Sequence, residues 1–201
     1  MILFAALANT NTPDNTRKDT TRMVRIRKGD KKAFEALFFE YHDQLSRFSN
    51  SITKSREFAR DAVQDVFLKI WRNRKDLDIK VSIRVYLYQA VRNQSLNLLE
   101  RQKNQIKLKE NYGIQLKINH RNEDYDYKLL LKQEEKNLVE RIWEAANQMP
   151  ERRRLVFELH RKHGFSYSEI AEILEISIKT VENHMAKALH YIRSNVENNL
   201  R

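Results

Sequence analysis

The sequence has no cysteine, three glycines and two prolines in 201 residues. Without cysteine there can be no disulfide and no thiolate metal site, and nothing argues against the reducing cytoplasm. So few breakers exclude a turn-rich sheet protein and favour long helices. Long hydrophobic runs are missing too. The opening MILFAALA is apolar for eight residues, well short of the roughly 20 that span a bilayer. It also has no basic residues before it, as a signal peptide would, so no membrane insertion is expected. Acidic charge is in deficit: 38 Lys and Arg face 27 Asp and Glu, leaving a formal charge of +11. Such a surface suits a polyanionic partner, although charge alone does not choose between nucleic acid and an anionic membrane. Six histidines are present, but they lack metal spacing. His160 and His163 are three apart with no carboxylate in ligand register, so they read as exposed polar residues near a helix end. No metal or cofactor is expected. With no nucleophile constellation and no glycine-rich phosphate loop, an enzyme is the least supported class.

Residues 1–22 read as a disordered arm, because NTNTPDNTRKDTTR is polar and contains Pro13. Gly29 and Asp30 then break a short basic segment, and Asp30 can cap a helix beginning at Lys31. In KKAFEALFFEYHDQLSRF, Phe34, Leu37, Phe38, Tyr41, Leu45 and Phe48 recur at helical spacing and predict a core stripe. REFARDAVQDVFLKIWRNR predicts a second helix. Ala59, Val63, Val66, Phe67, Ile70 and Trp71 share one face of it, and Asp61, Gln64, Asp65 and Lys69 the other. Ser82 can cap a third helix, whose outward side is expected to present Arg84, Tyr88, Arg92, Asn93, Asn97 and Arg101. From Gln102 to about Tyr127 the chain is polar and mixed in charge, which reads as a linker. Order returns in KQEEKNLVERIWEAANQ, with Leu138, Val139, Ile142, Trp143 and Ala146 on one stripe, and Pro150 opens a further helix that Gly164 stops.

The C-terminal stretch SYSEIAEILEISIKTVENHMAKALHYIR has the marks of a helix-turn-helix. Ile170, Ala171 and Leu174 supply the inner face of its first helix, and small Ala171 permits close approach. Ile176 plugs the turn and Ser177 can cap the second helix. Along that second helix Val181, Met185, Ala188, Leu189 and Ile192 are expected inward. Lys179, Thr180, Glu182, Asn183 and Lys187 lie outward, where such side chains can reach phosphates and base edges. A charged outer face that is merely solvated fits the same pattern. The expected fold is all-α: two small helical domains joined by a polar linker, the C-terminal one carrying the helix-turn-helix. The boundaries read as arm 1–22, bundle 23–101, linker 102–134 and C-terminal domain 135–201.

MPERRRLVFELHRKHGFSYSEIAEILEISIKTVENHMAKALHYIR resembles the fourth region of bacterial extracytoplasmic-function (ECF) sigma factors. ARDAVQDVFLKIWRNR, followed by YLYQAVRNQSLNLLERQ, resembles their second region, and GDKKAFEALFFEYHDQL its start. This resemblance implies a sigma factor that binds core RNA polymerase and directs promoter recognition and transcription initiation. It places the polymerase contact on Asp61, Gln64 and Asp65. It places the minus-ten contact on Tyr88, Arg92, Asn93 and Asn97, with Lys75, Asp76 and Asp78 bordering a base pocket and Trp71 and Tyr86 in the core. The minus-thirty-five contact falls on Ser177, Lys179, Thr180, Asn183 and Lys187, with Arg152, Arg153 and Arg154 toward phosphate or polymerase. An anti-sigma factor is implied as a further partner. One departure stands out, because Glu175 occupies a turn position where the family often has glycine. Two other classes fit part of the pattern. A response-regulator-type activator would share the helix-turn-helix but needs alternating strands over 31–101, and a helical adaptor would bind neither DNA nor polymerase.

Overall fold

A computed structural model describes residues 13–79, 81–111 and 133–198. Among these all regular structure is helical. In chain order the helices are α1 (Pro13–Arg27), α2 (Lys31–Thr53), α3 (Arg56–Arg72), α4 (Ile83–Asn111), α5 (Gln133–Asn147), α6 (Glu151–Arg161), α7 (Tyr167–Leu174) and α8 (Ile178–Asn198). They form two compact units, one from α1 to α4 and one from α5 to α8.

In the first unit α2, α3 and α4 pack on one another pairwise. Asp30 caps α2 by accepting from the Ala33 N–H at 3.1 Å, and that bond chiefly holds its carboxyl below the ordinary range. Ser55 caps α3 and Ser82 caps α4, the latter accepting from the Val85 N–H at 3.2 Å. Leu37, Leu45, Phe48, Val63, Ile70, Leu87 and Val91 fill the core, each at most 1% exposed. Within it the Ser49 and Ser95 hydroxyls pair at 2.7 Å, satisfying two polar groups that burial would otherwise penalise.

Two boundaries differ from expectation. The segment read as arm is helical from Pro13, a residue that suits a first helical turn because its missing N–H is not needed there. Polar composition does not prevent docking here, since its buried charges are paired. Arg22 Nη2 donates to Glu40 Oε2 at 2.8 Å and its Nη1 lies 3.7 Å from Asp19. The Tyr41 hydroxyl donates to Asp19 at 3.3 Å, and Met23 and Ile26 are buried beside them. Burial, with the Asp19 carboxylate second, pushes the Tyr41 phenol up. At the other end α4 runs on to Asn111, ten residues into the segment read as linker. Residues 112–132 of that linker, and residues 1–12 of the arm, lie outside the described residues, and α5 takes the linker's last two positions.

In the second unit α8 packs against α5, α6 and α7. Phe157 meets Trp143 edge-on at 5.5 Å, and Phe165, Ile170, Ile173 and Met185 are at most 1% exposed. Gly164 adopts φ +68 after α6, the left-handed stop its position suggested. His163 is buried, and His160 Nδ1 sits 2.9 Å from the Phe165 carbonyl, so neither is the exposed group the sequence suggested. The His160 contact ties α6 to the α6–α7 connection.

Candidate nucleic-acid and polymerase interface

The outer face of α3 exposes Asp61 and Gln64, while Asp65 is half-buried. One helical turn of separation puts Asp61, Asp65 and Lys69 in line. Asp65 is tied inward: Gln94 Nε2 of α4 donates to Asp65 Oδ2 at 2.8 Å, and Lys69 Nζ donates to Gln94 Oε1 at 2.8 Å. Periodicity alone did not reveal this bridge, because a glutamine inside a helix gives no pairing signal. The same face continues through Leu68, which lies off the core stripe, one turn beyond Gln64, and leaves 49% of its surface in solvent.

On α4 the expected outward set divides. Asn97 is exposed, and Arg92 and Asn93 are half-buried, with Arg92 Nη1 donating to the Asn93 side-chain oxygen at 2.9 Å. Tyr88 is not outward at all. It is fully buried with its ring 4.9 Å from Phe48, and burial pushes its phenol up. The reason is geometric: α4 packs on both α2 and α3, so its buried arc is wider than one stripe and includes the position between Arg84 and Arg92. Tyr86 and Trp71, expected in the core, are half-buried instead. In the α3–α4 loop Lys75, Asp76 and Asp78 are exposed.

The α7–α8 pair has the geometry of a helix-turn-helix. Ser166 and Glu169 form a reciprocal capping box at the start of α7. Its end turns on Glu175, at φ 55 and ψ 47, with the Ile176 N–H donating back to the Ala171 carbonyl at 3.0 Å. The chain thus adopts the left-handed turn without the glycine. Ser177 Oγ accepts from the Thr180 N–H at 3.1 Å and lies 2.8 Å from the Thr180 hydroxyl, which fixes the start of α8. Val181, Met185, Ala188 and Ile192 are buried as expected, while Leu189 is 37% exposed.

Ser177, Lys179, Asn183 and Lys187 are exposed, Thr180 partly so, and together they populate the outer side of α8. Lys179 and Glu182 pair at 3.2 Å in solvent, an attachment weak enough to release when a phosphate competes. Arg153 and Lys187 line one shallow groove with His190 and Tyr191. Of the three arginines after Pro150, Arg152 is exposed, Arg153 half-buried and Arg154 buried, so Arg154 is withdrawn from any external phosphate. His184, which the sequence reading passed over, is held below its ordinary value by burial first and then by Arg153, Lys187 and Arg152. The outer side of α8 thus presents Lys179 and Lys187 together with one carboxylate, Glu182, and Arg152 and Arg153 lie close enough to act on His184. Among the described residues no group of His, Asp and Glu is arranged to hold a metal ion, and no helix is long and apolar enough to cross a membrane.

Comparison with known proteins places both units. The chain matches the family model "Sigma-70 region 2" over residues 37–105 and "Sigma-70, region 4" over residues 139–190. It is 26% identical over 186 residues to the ECF RNA polymerase sigma-E factor of Haemophilus influenzae, covering 89% of this chain and 95% of that one. It is 27% identical over 188 residues to the factor of the same name from Escherichia coli strain K12, covering 89% and 94%. In fold it is similar to the sigma factor RpoE solved with the anti-sigma factor NepR from Bartonella quintana. That match has a TM-score of 0.61 at 19% identity, covering 83% of this chain and 98% of that one. CnrH, solved with the cytosolic domain of CnrY, gives a TM-score of 0.60 at 18% identity and covers 90% and 97%. The two family models fall on separate compact units, in order, and together match more than half of the residues, so the chain belongs to the sigma-70 family, in its ECF group.

Proposed function

We propose that this chain joins core RNA polymerase through the α3 face of Asp61, Gln64 and Asp65 and directs transcription initiation at promoters read by its two units. Residues 23–101 take the minus-ten element, with Arg92, Asn93 and Asn97 of α4 toward the unpaired strand. Tyr88 is left out because its ring is enclosed. Residues 135–201 take the minus-thirty-five element as duplex, with α8 in the major groove and Ser177, Lys179, Thr180, Asn183 and Lys187 toward phosphates and bases. The observation that carries this reading is a helix-turn-helix whose outer face is polar and basic, following a separate helical unit whose α3 face exposes Asp61 and Gln64 beside half-buried Asp65, in one basic chain. The Asp61 carboxylate suits a basic surface of a protein partner, and the α8 face suits a polyanion. The chain itself performs no catalysis and works in the cytoplasm. Because the Bartonella quintana relative was solved with an anti-sigma factor, we extend that class of partner to this chain as well.

Co-purification with core RNA polymerase tests the reading. Asp61 is exposed, so Asp61→Arg is expected to leave circular dichroism unchanged and to abolish retention by core polymerase through charge reversal at the contact. Retention equal to that of the unaltered chain would remove α3 as the docking face.

A further inference from the structure

The α1–α2 turn and the α3–α4 loop meet at one corner of the first unit. Arg27 Nη2 donates to the Leu77 carbonyl at 2.6 Å. The Phe34 ring lies 5.0 Å from that of Trp71. Arg74 folds back over the same indole at 4.4 Å, with its Nη1 donating to the Trp71 carbonyl at 2.7 Å. Gly29, at φ +87, backs onto this arginine, and a Cβ there would lie 3.9 Å from Arg74 Nε. These contacts gather cations from segments some forty residues apart in the sequence. Arg27, Lys28, Lys31 and Lys32 come from the first junction, and Arg72 and Lys75 from the second; all six are exposed.

Internal structure does not account for them. Arg25 is neutralised by Asp30 at 2.7 Å, but among the described residues Lys28, Lys31, Lys32, Arg72 and Lys75 have no carboxylate partner. Lys31 and Lys32 occupy the first turn of α2, which has no acidic residue, and cations there work against the helix dipole. Exposed Asp76 and Asp78 of the same loop offset the six cations in part; the charges in excess repel one another, and a polyanion removes both penalties. The corner lacks the apolar centre a protein interface needs, since none of the large exposed hydrophobic side chains lies in 27–32 or 72–75. Phosphates need only charge within reach.

We propose that this corner is a second, sequence-independent DNA surface that neutralises phosphates of the strand lying along α4 and the α3–α4 loop. It rests on the minus-ten assignment above for where that strand runs. The test uses the full chain, a fluorescent single-stranded DNA of mixed sequence and a salt titration by anisotropy. Lys28→Gln/Lys31→Gln/Lys32→Gln alters exposed side chains only, and an unchanged thermal melt verifies folding. The slope of log affinity against log salt is expected to become shallower by about 2, at about 0.7 per phosphate contact on single strands, and equally on every sequence. An unchanged slope overturns the proposal. So does loss of core polymerase binding at an unchanged slope, which would make the corner a protein contact. Arg92→Ala/Asn97→Ala separates the two readings. If that pair leaves strand preference intact while the lysine variant still flattens the slope, the minus-ten assignment falls and the corner stands; the reverse result removes the corner alone.

Discussion

Tyr88 and His184 show how one side chain's surroundings decide its role. The Tyr88 ring packs on Phe48, and its hydroxyl donates to Gln44 only at 3.5 Å. Tyr88→Phe is therefore expected to cost about 1 kcal/mol or less. Tyr88→Ala should cost about 3 to 5 kcal/mol through the cavity it leaves. Urea denaturation measures both, and strand binding by Tyr88→Phe should match that of the unaltered chain. The i, i+4 step from Arg84 to Tyr88 to Arg92 was legible in the sequence, but the width of the buried arc was not, because it depends on how many neighbours α4 has. His184 carries a pH signature. Its folded value lies below the ordinary 6.5, so protonation favours the unfolded chain. The stability it contributes is full above 6.5 and is lost as pH falls through the lower folded value. Between about pH 8 and about pH 5, His184→Gln is expected to reduce the acid-side loss of stability seen in urea melts. An identical pH profile in the variant would count against the burial of His184 first, and then against the cationic surroundings of Arg153, Lys187 and Arg152.

Among the elements, the α7–α8 connection was the most legible. Its capping serine, turn plug, small residue and second cap are all local signals, and local signals survive into the fold. The strain of Glu175 was legible as well, because a left-handed turn costs any side chain with a Cβ. Glu175→Gly should raise the thermal midpoint of the second unit, corresponding to up to about 1 kcal/mol. A lowered midpoint would mean that the glutamate's own interactions outweigh the backbone strain. Helix α1 was illegible for the opposite reason. Its stability comes from Arg22 meeting Glu40 and from Tyr41 meeting Asp19, partners about twenty residues away that no local window contains. The overrun of α4 to Asn111 belongs to the same class, since a polar helix and a polar linker have similar compositions.

Over the whole molecule, the two units keep separate cores, which implies separate thermodynamic fates. A fragment beginning at Gln133 is expected to fold alone and to bind duplex DNA weakly, with affinity falling steeply as salt rises. In that fragment Asn183→Ala should relax sequence preference at a cost of about 1 to 3 kcal/mol. Lys179→Ala should weaken every sequence alike and flatten the salt slope by about 1. Equal losses from both substitutions on preferred and scrambled duplexes would show that α8 coats DNA without reading it. The Asp65–Gln94–Lys69 chain works as a gauge on this scale. With Lys69 occupying the amide oxygen of Gln94, only the amide nitrogen is left for Asp65, so the side chain has one orientation. Sliding α4 by a single residue would turn Gln94 by about 100° and strand both charges. The first unit is thus cut to one phase, like a key with a single tooth. A partner seated on Asp61 and Gln64 finds Arg92 and Asn97 always at the same offset, and a strand held on α4 is placed at a fixed distance from whatever grips α3.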